Sequence, residues 1–127
     1  MNKTILTTAF LLGFTAVALG AFGAHALSEV LDNKALESFK TAVYYQMIHS
    51  VVLLIIGSVN RFNIKELQRL FYLFLGGIFL FSGSIYVYYL FPLLGIDLKF
   101  VVYLTPLGGI LFLIGWMLAA IYTFKKP

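Results

Sequence analysis

The chain has 127 residues, of which 61% are hydrophobic and 11% charged, with a net charge of +4 and no cysteine. A typical soluble domain carries about 25% charged residues, so a chain this small and this apolar needs lipid as its solvent. Disulfides, thiolate metal sites and thiol catalysis are excluded, and the nine cations sit in short polar segments that suit anionic lipid and not nucleic acid.

Four apolar stretches, at 5–27, 39–59, 70–91 and 99–124, are long enough as helices to cross a hydrocarbon core about 30 Å thick. They predict an all-α membrane protein, a four-helix transmembrane bundle filling one domain, 1–127. The first stretch also fits a secretory signal, with Lys3, an apolar run and Ala24-His25-Ala26 as a cleavage site. The run is long for a signal, and its glycines have a better use as a packing face. Between helices 1 and 2, Val30, Leu31, Ala35, Leu36 and Phe39 recur at helical spacing behind Ser28 or Asp32 as a cap. A short amphipathic helix lying on the membrane interface is expected there. Asn60 to Arg69 reads as a basic turn, and Pro92, Gly95 and Asp97 mark the third connection. Pro106 is expected to kink a fourth helix that begins near Lys99, because Phe100-Val101-Val102-Tyr103-Leu104 is too apolar for an exposed loop.

Lysine and arginine distribution predicts orientation. Lys3, Arg61, Lys65, Arg69, Lys125 and Lys126 fall on one side; Lys34, Lys40 and Lys99 fall on the other. Six against three places both termini in the cytoplasm, in a multi-pass protein of the inner or plasma membrane.

Small residues form seams on three helices: Gly13, Gly20 and Gly23 on the first, Gly76, Gly77 and Gly83 on the third, Gly108 and Gly115 on the fourth. Such seams let helix backbones approach closely, within one chain or in a homo-oligomer or with another membrane protein. Helix 2 carries Glu37, Thr41, Tyr45 and His49 at successive four-residue steps, with Gln46 at the edge of the stripe. A polar stripe facing lipid is costly, so it should face protein or a wet cavity. Counting helical rise from the interfaces puts His49, Ser82, Ser84 and Trp116 near the bilayer midplane and His25 with Glu37 near the outer surface. The expected sites are a midplane polar cluster of His49, Gln46, Tyr45, Trp116 and a helix 3 serine such as Ser84, and an interfacial pair, His25 and Glu37.

An intramembrane histidine is a candidate for proton transfer. A small proton-linked transporter or channel centred on His49 is therefore one reading, and a neutral imidazole that fixes helix register is the other. Bis-histidine haem is disfavoured, because His25 and His49 differ in depth by about 12 Å. Two histidines without a convergent carboxylate pair make a poor metal site, so no cofactor is expected. No nucleophile–base set and no phosphate-binding loop is present, and lipid chemistry by His25 and Glu37 is the one enzymatic reading left.

These same residues carry a resemblance. Ala18-Leu19-Gly20-Ala21-Phe22-Gly23-Ala24-His25, Thr41-Ala42-Val43-Tyr44-Tyr45-Gln46-Met47-Ile48-His49, Phe81-Ser82-Gly83-Ser84-Ile85-Tyr86, Thr105-Pro106-Leu107-Gly108-Gly109 and Gly115-Trp116 follow one another along the chain. In that order they resemble the YgdD/YwdK-like family of small four-helix membrane proteins, a domain of unknown function. The resemblance spans essentially the whole chain. It implies a multi-pass inner or plasma membrane protein and carries no established activity, so it leaves function open; the residues favour a structural or accessory role in the lipid bilayer, with the transporter or channel centred on His49 as the alternative.

Overall fold

Each apolar stretch is helical in the computed structural model, which describes residues 1–127. Helix α1 (Lys3–His25) starts at Asn2, whose side-chain oxygen accepts the Ile5 amide at 3.1 Å. A single 3-10 turn, Leu27–Glu29, leads to Asp32, which caps α2 (Asn33–Ser58) by accepting the Ala35 amide at 2.8 Å. Helix α3 (Ile64–Ile78) opens on a capping box: Asn63 accepts the Glu66 amide and the Glu66 carboxylate accepts the Asn63 amide, both at 3.0 Å. The third span then runs unbroken through a π-helical segment, Phe79–Gly83, and α4 (Ser84–Leu90). It ends in a 3-10 turn, Phe91–Leu94, closed by Gly95 at φ 77°, a left-handed position that glycine takes without strain. A 3-10 stretch, Lys99–Tyr103, feeds α5 (Leu104–Phe124). With their flanking turns, these make four spans of 26 to 31 residues, each long and apolar enough to cross a membrane.

Three expectations about the connections need correction. No separate interfacial helix lies between α1 and α2; residues 33–40 are the opening turns of α2 itself. Of the stripe expected to lie on lipid, Ala35 and Phe39 are buried in the bundle and Leu31 and Leu36 are half-buried, so protein covers most of it, and only Val30 stays exposed. The third span begins at Ile64 and not near residue 70, because the capping box starts it early. Pro106 does not kink a helix begun at Lys99: it is the third residue of α5, where its missing N–H is one the helix leaves unpaired anyway.

Helix α1 packs along α2, α5 packs along α3 and the π segment, and α2 joins the two pairs. A buried apolar cluster runs from Ile5 and Ala9 through Leu53 and Ile56 to Leu70, Phe74 and Phe112. Phe10, Phe14 and Val17 on α1 and Leu113 and Met117 on α5 point outward, as a hydrocarbon solvent permits. Glycines set the close approaches. A Cβ at Gly23 would meet the Phe39 ring at 2.8 Å, at Gly115 the Phe74 ring at 2.9 Å, and at Gly108 the backbone of Leu80 and Phe81. Gly20 faces Val43 at 3.3 Å and Gly76 faces Leu111 at 3.2 Å. Gly13 and Gly83 do not belong to a seam: a Cβ at Gly13 has nothing within 4 Å, and at Gly83 it reaches only the Ile78 carbonyl oxygen at 3.9 Å. Gly57, absent from the expected seams, packs against Ile5 at 2.9 Å.

Both termini meet the α2–α3 connection at one end of the bundle. The Met1 ammonium donates to Asn60 at 3.3 Å, and the Asn2 amide to the Gly57 carbonyl at 2.9 Å. On the other side Arg61 donates to the carbonyls of Thr123 and Lys126, both at 2.8 Å, and of Pro127 at 3.2 Å. Lys126 returns a bond to the Arg61 carbonyl at 2.6 Å and pairs with Glu66 at 2.5 Å.

Candidate intramembrane polar site

His49 lies on the inner face of α2 with 3% of its surface exposed. The Trp116 indole N–H donates to its Nε2 at 3.0 Å. An indole can only donate, so Nε2 is the acceptor and the ring proton belongs on Nδ1. Nδ1 lies 2.7 Å from the Tyr45 carbonyl oxygen one turn earlier, which takes that proton. The result is a neutral imidazole with both nitrogens engaged. Its surroundings are aromatic: Phe112 stacks on it at 3.7 Å and 7°, with Phe74 at 5.7 Å and Tyr45 at 6.0 Å. Gly77 and Gly115 make this box possible, since a side chain at either would strike Phe112 or Phe74.

Gln46 is also 3% exposed but serves a different junction. Its amide nitrogen donates to the Leu12 carbonyl at 2.9 Å and to Thr15 Oγ1 at 2.8 Å, and its oxygen accepts the Tyr86 hydroxyl at 2.6 Å. One side chain thereby ties α2 to both α1 and α4. A third link joins Ser84 Oγ to Thr105 Oγ1 at 2.5 Å, between α4 and the start of α5. A fourth runs from Ser82 Oγ to the Ala42 carbonyl at 2.6 Å, between the π segment and α2.

The residues expected to form one midplane cluster are thus distributed over separate interfaces. His49 and Trp116 meet. Gln46, about 60° around α2 from His49 at helical spacing, turns to α1 and α4. Ser84 turns to α5, and Tyr45 contributes its ring and backbone carbonyl while the residue is 37% exposed. The interfacial pair is not formed either. His25 and Glu37 are both exposed and make no ion pair. Phe39 packs on Gly23, and each of the two polar residues lies two positions from that contact, about 200° around its own helix and so facing away. His25 and His49 do not approach a common site. No group of three His, Cys, Asp or Glu side chains converges on a point that could hold a metal ion.

A family model described as "Protein of unknown function (DUF423)" matches residues 19–109. A UPF0382 membrane protein of Haemophilus influenzae is 41% identical, over 99% of this chain and 98% of its own length. The chain belongs to this family. A UPF0382 membrane protein of Staphylococcus aureus is 39% identical over 87% of this chain and 86% of its own. The UPF0382 membrane protein YwdK of Bacillus subtilis is 34% identical over 87% of each chain. No solved structure matches. With four spans and relatives named as membrane proteins, the chain is a multi-pass integral membrane protein whose family has no defined role. The matched region of this DUF423 member takes in the Gln46 junction at α2 and α4, His49, the π segment and Gly108, and stops short of Trp116.

Sequence reasoning missed two partners of Gln46. Thr15 is the one hydroxyl in the middle of the first apolar run, and within the expected span 70–91 Tyr86 lies deeper than Tyr72, Tyr88 or Tyr89. Depth alone could have singled out both. The π segment left no such signal: nothing in Phe79-Leu80-Phe81-Ser82-Gly83 departs from an ordinary helix former with small residues.

Proposed function

We propose that this chain is a structural or accessory component of the cell membrane, not an enzyme, and that His49 acts as a neutral register-fixing link. One observation carries this: both imidazole nitrogens are occupied inside the protein, by Trp116 and the Tyr45 carbonyl, in a ring stacked on Phe112. A proton carrier needs an imidazole that exchanges protons with water. Here the neighbours are rings, and all five acidic residues lie at helix ends or in connections. The separation of His25 from Glu37 likewise speaks against acid–base chemistry at the interface. The six cations at the end that holds both termini support a cytoplasmic location for them.

The test is proton flux into liposomes under an imposed pH gradient, with the wild-type protein and His49→Ala side by side. Equal, background-level flux in both is expected. Flux that the substitution abolishes would replace this proposal with proton-linked transport through His49.

A further inference from the structure

At the end of the bundle that carries both termini, α3 and α5 do not close against each other completely. Between them lies an open groove of about 630 Å³ lined by Lys65, Gln68, Arg69, Tyr72, Leu73, Ile114 and Leu118. Its lining is graded. On α3 the residues 65, 68, 69, 72 and 73 share one helical face, polar toward the helix start and apolar one turn further in. Lys65 to Leu73 spans about 12 Å along the axis. On the antiparallel α5, Leu118 and Ile114 continue the apolar part at matching depth.

The charge at the mouth is unbalanced. Glu66, the one carboxylate nearby, is taken up by Lys126 at 2.5 Å and by the Asn63 amide. Lys65 enters no ion pair, and Arg69 makes one long hydrogen bond, 3.4 Å, to the Tyr122 hydroxyl. Two cations therefore line the groove with no ion pair of their own, beside Gln68 and Tyr72; Glu66, already held by Lys126, acts on Arg69 only at longer range. A paired ammonium and guanidinium suit a phosphate diester, and an apolar channel running inward from them suits an acyl chain and not a free anion.

We propose that this groove binds an anionic glycerophospholipid, its phosphate held by Lys65 and Arg69 and one acyl chain laid over Leu73, Ile114 and Leu118. The proposal is independent of the role of His49. Two cations near a bilayer surface give a preference for the anionic lipid of about thirtyfold over a zwitterionic one.

Native mass spectrometry of the full chain, released from detergent with added dioleoyl phosphatidylglycerol or dioleoyl phosphatidylcholine, reads that ratio directly. Wild type should retain phosphatidylglycerol with the stated preference, and excess inorganic phosphate should not displace it. Lys65→Gln with Arg69→Gln should bring the ratio near one. Lys34→Gln with Lys40→Gln, the same loss of charge at the opposite end, should leave it unchanged. Ile114→Trp, which fills the apolar channel and keeps both cations, should also lower retention. Equal retention of the two lipids by wild type, which needs no variant, would overturn the proposal. So would an equal loss in the Lys34 and Lys40 variant, or displacement by phosphate, which would mark a free-anion site.

Discussion

Replacing Trp116 by phenylalanine removes one hydrogen-bond donor from the bundle and keeps most of its aromatic bulk. His49 Nε2 is then a buried acceptor, 3% exposed at the residue level, facing Phe74 and Phe112 rings that have no proton to offer. A buried group left unpaired costs about 1–3 kcal/mol. The reciprocal change, His49→Phe, preserves a ring against Phe112 and orphans the indole N–H instead. The lost Nδ1 bond adds little, since the Tyr45 carbonyl already accepts a backbone amide within α2. The double variant removes both polar groups at once. Side-chain hydrogen bonds inside membrane proteins show coupling of about 0.6 kcal/mol on average and about 1.7 at most. A 3.0 Å bond to a shielded acceptor belongs in the upper part of that range, so the double variant should be destabilised by about 1 kcal/mol less than the two singles together. Reversible unfolding in mixed micelles with increasing dodecyl sulfate measures this. Far-UV circular dichroism is the readout, because Trp116 is the only tryptophan and its fluorescence disappears with it. Additivity within about 0.3 kcal/mol would refute the claim that the two side chains act as a unit.

The same unfolding assay tests two further points. Gly108→Ala places a Cβ 2.8 Å from Phe81 Cα and the Leu80 carbonyl carbon, backbone atoms that cannot turn aside, and should cost about 1–3 kcal/mol. Gly13→Ala, with nothing within 4 Å, should be neutral or slightly stabilising; equal effects at the two positions would contradict the packing described. Gln46→Leu breaks three hydrogen bonds and orphans the Tyr86 hydroxyl, for an expected loss of about 2 kcal/mol. Adding Tyr86→Phe should recover part of that loss, and no recovery would separate Tyr86 from the junction.

The amino-acid sequence by itself determined the solvent and the class. Sixty-one per cent hydrophobic residues in 127 require hydrocarbon around four spans, and apolar length needs no knowledge of neighbours. It also determined that His49 and Gln46 turn inward, because a midspan polar group has nowhere else to go. Helical periodicity could say which residues share a face of α2, but a face 100° wide meets two neighbours. Only tertiary structure decided that His49 finds Trp116 on α5 while Gln46, 60° away, finds Thr15 on α1 and Tyr86 on α4. The same limit explains Gly13 and Gly83. Their spacing matches that of Gly20 and Gly108, yet a small residue matters only where another helix crosses it, and where helices cross depends on all four at once. The π segment at Phe79–Gly83, the clasp of Arg61 on the final carbonyls and the open groove between α3 and α5 are likewise properties of assembled helices. Each is set by which long-range surfaces fit together, and local pattern carries no record of that fit.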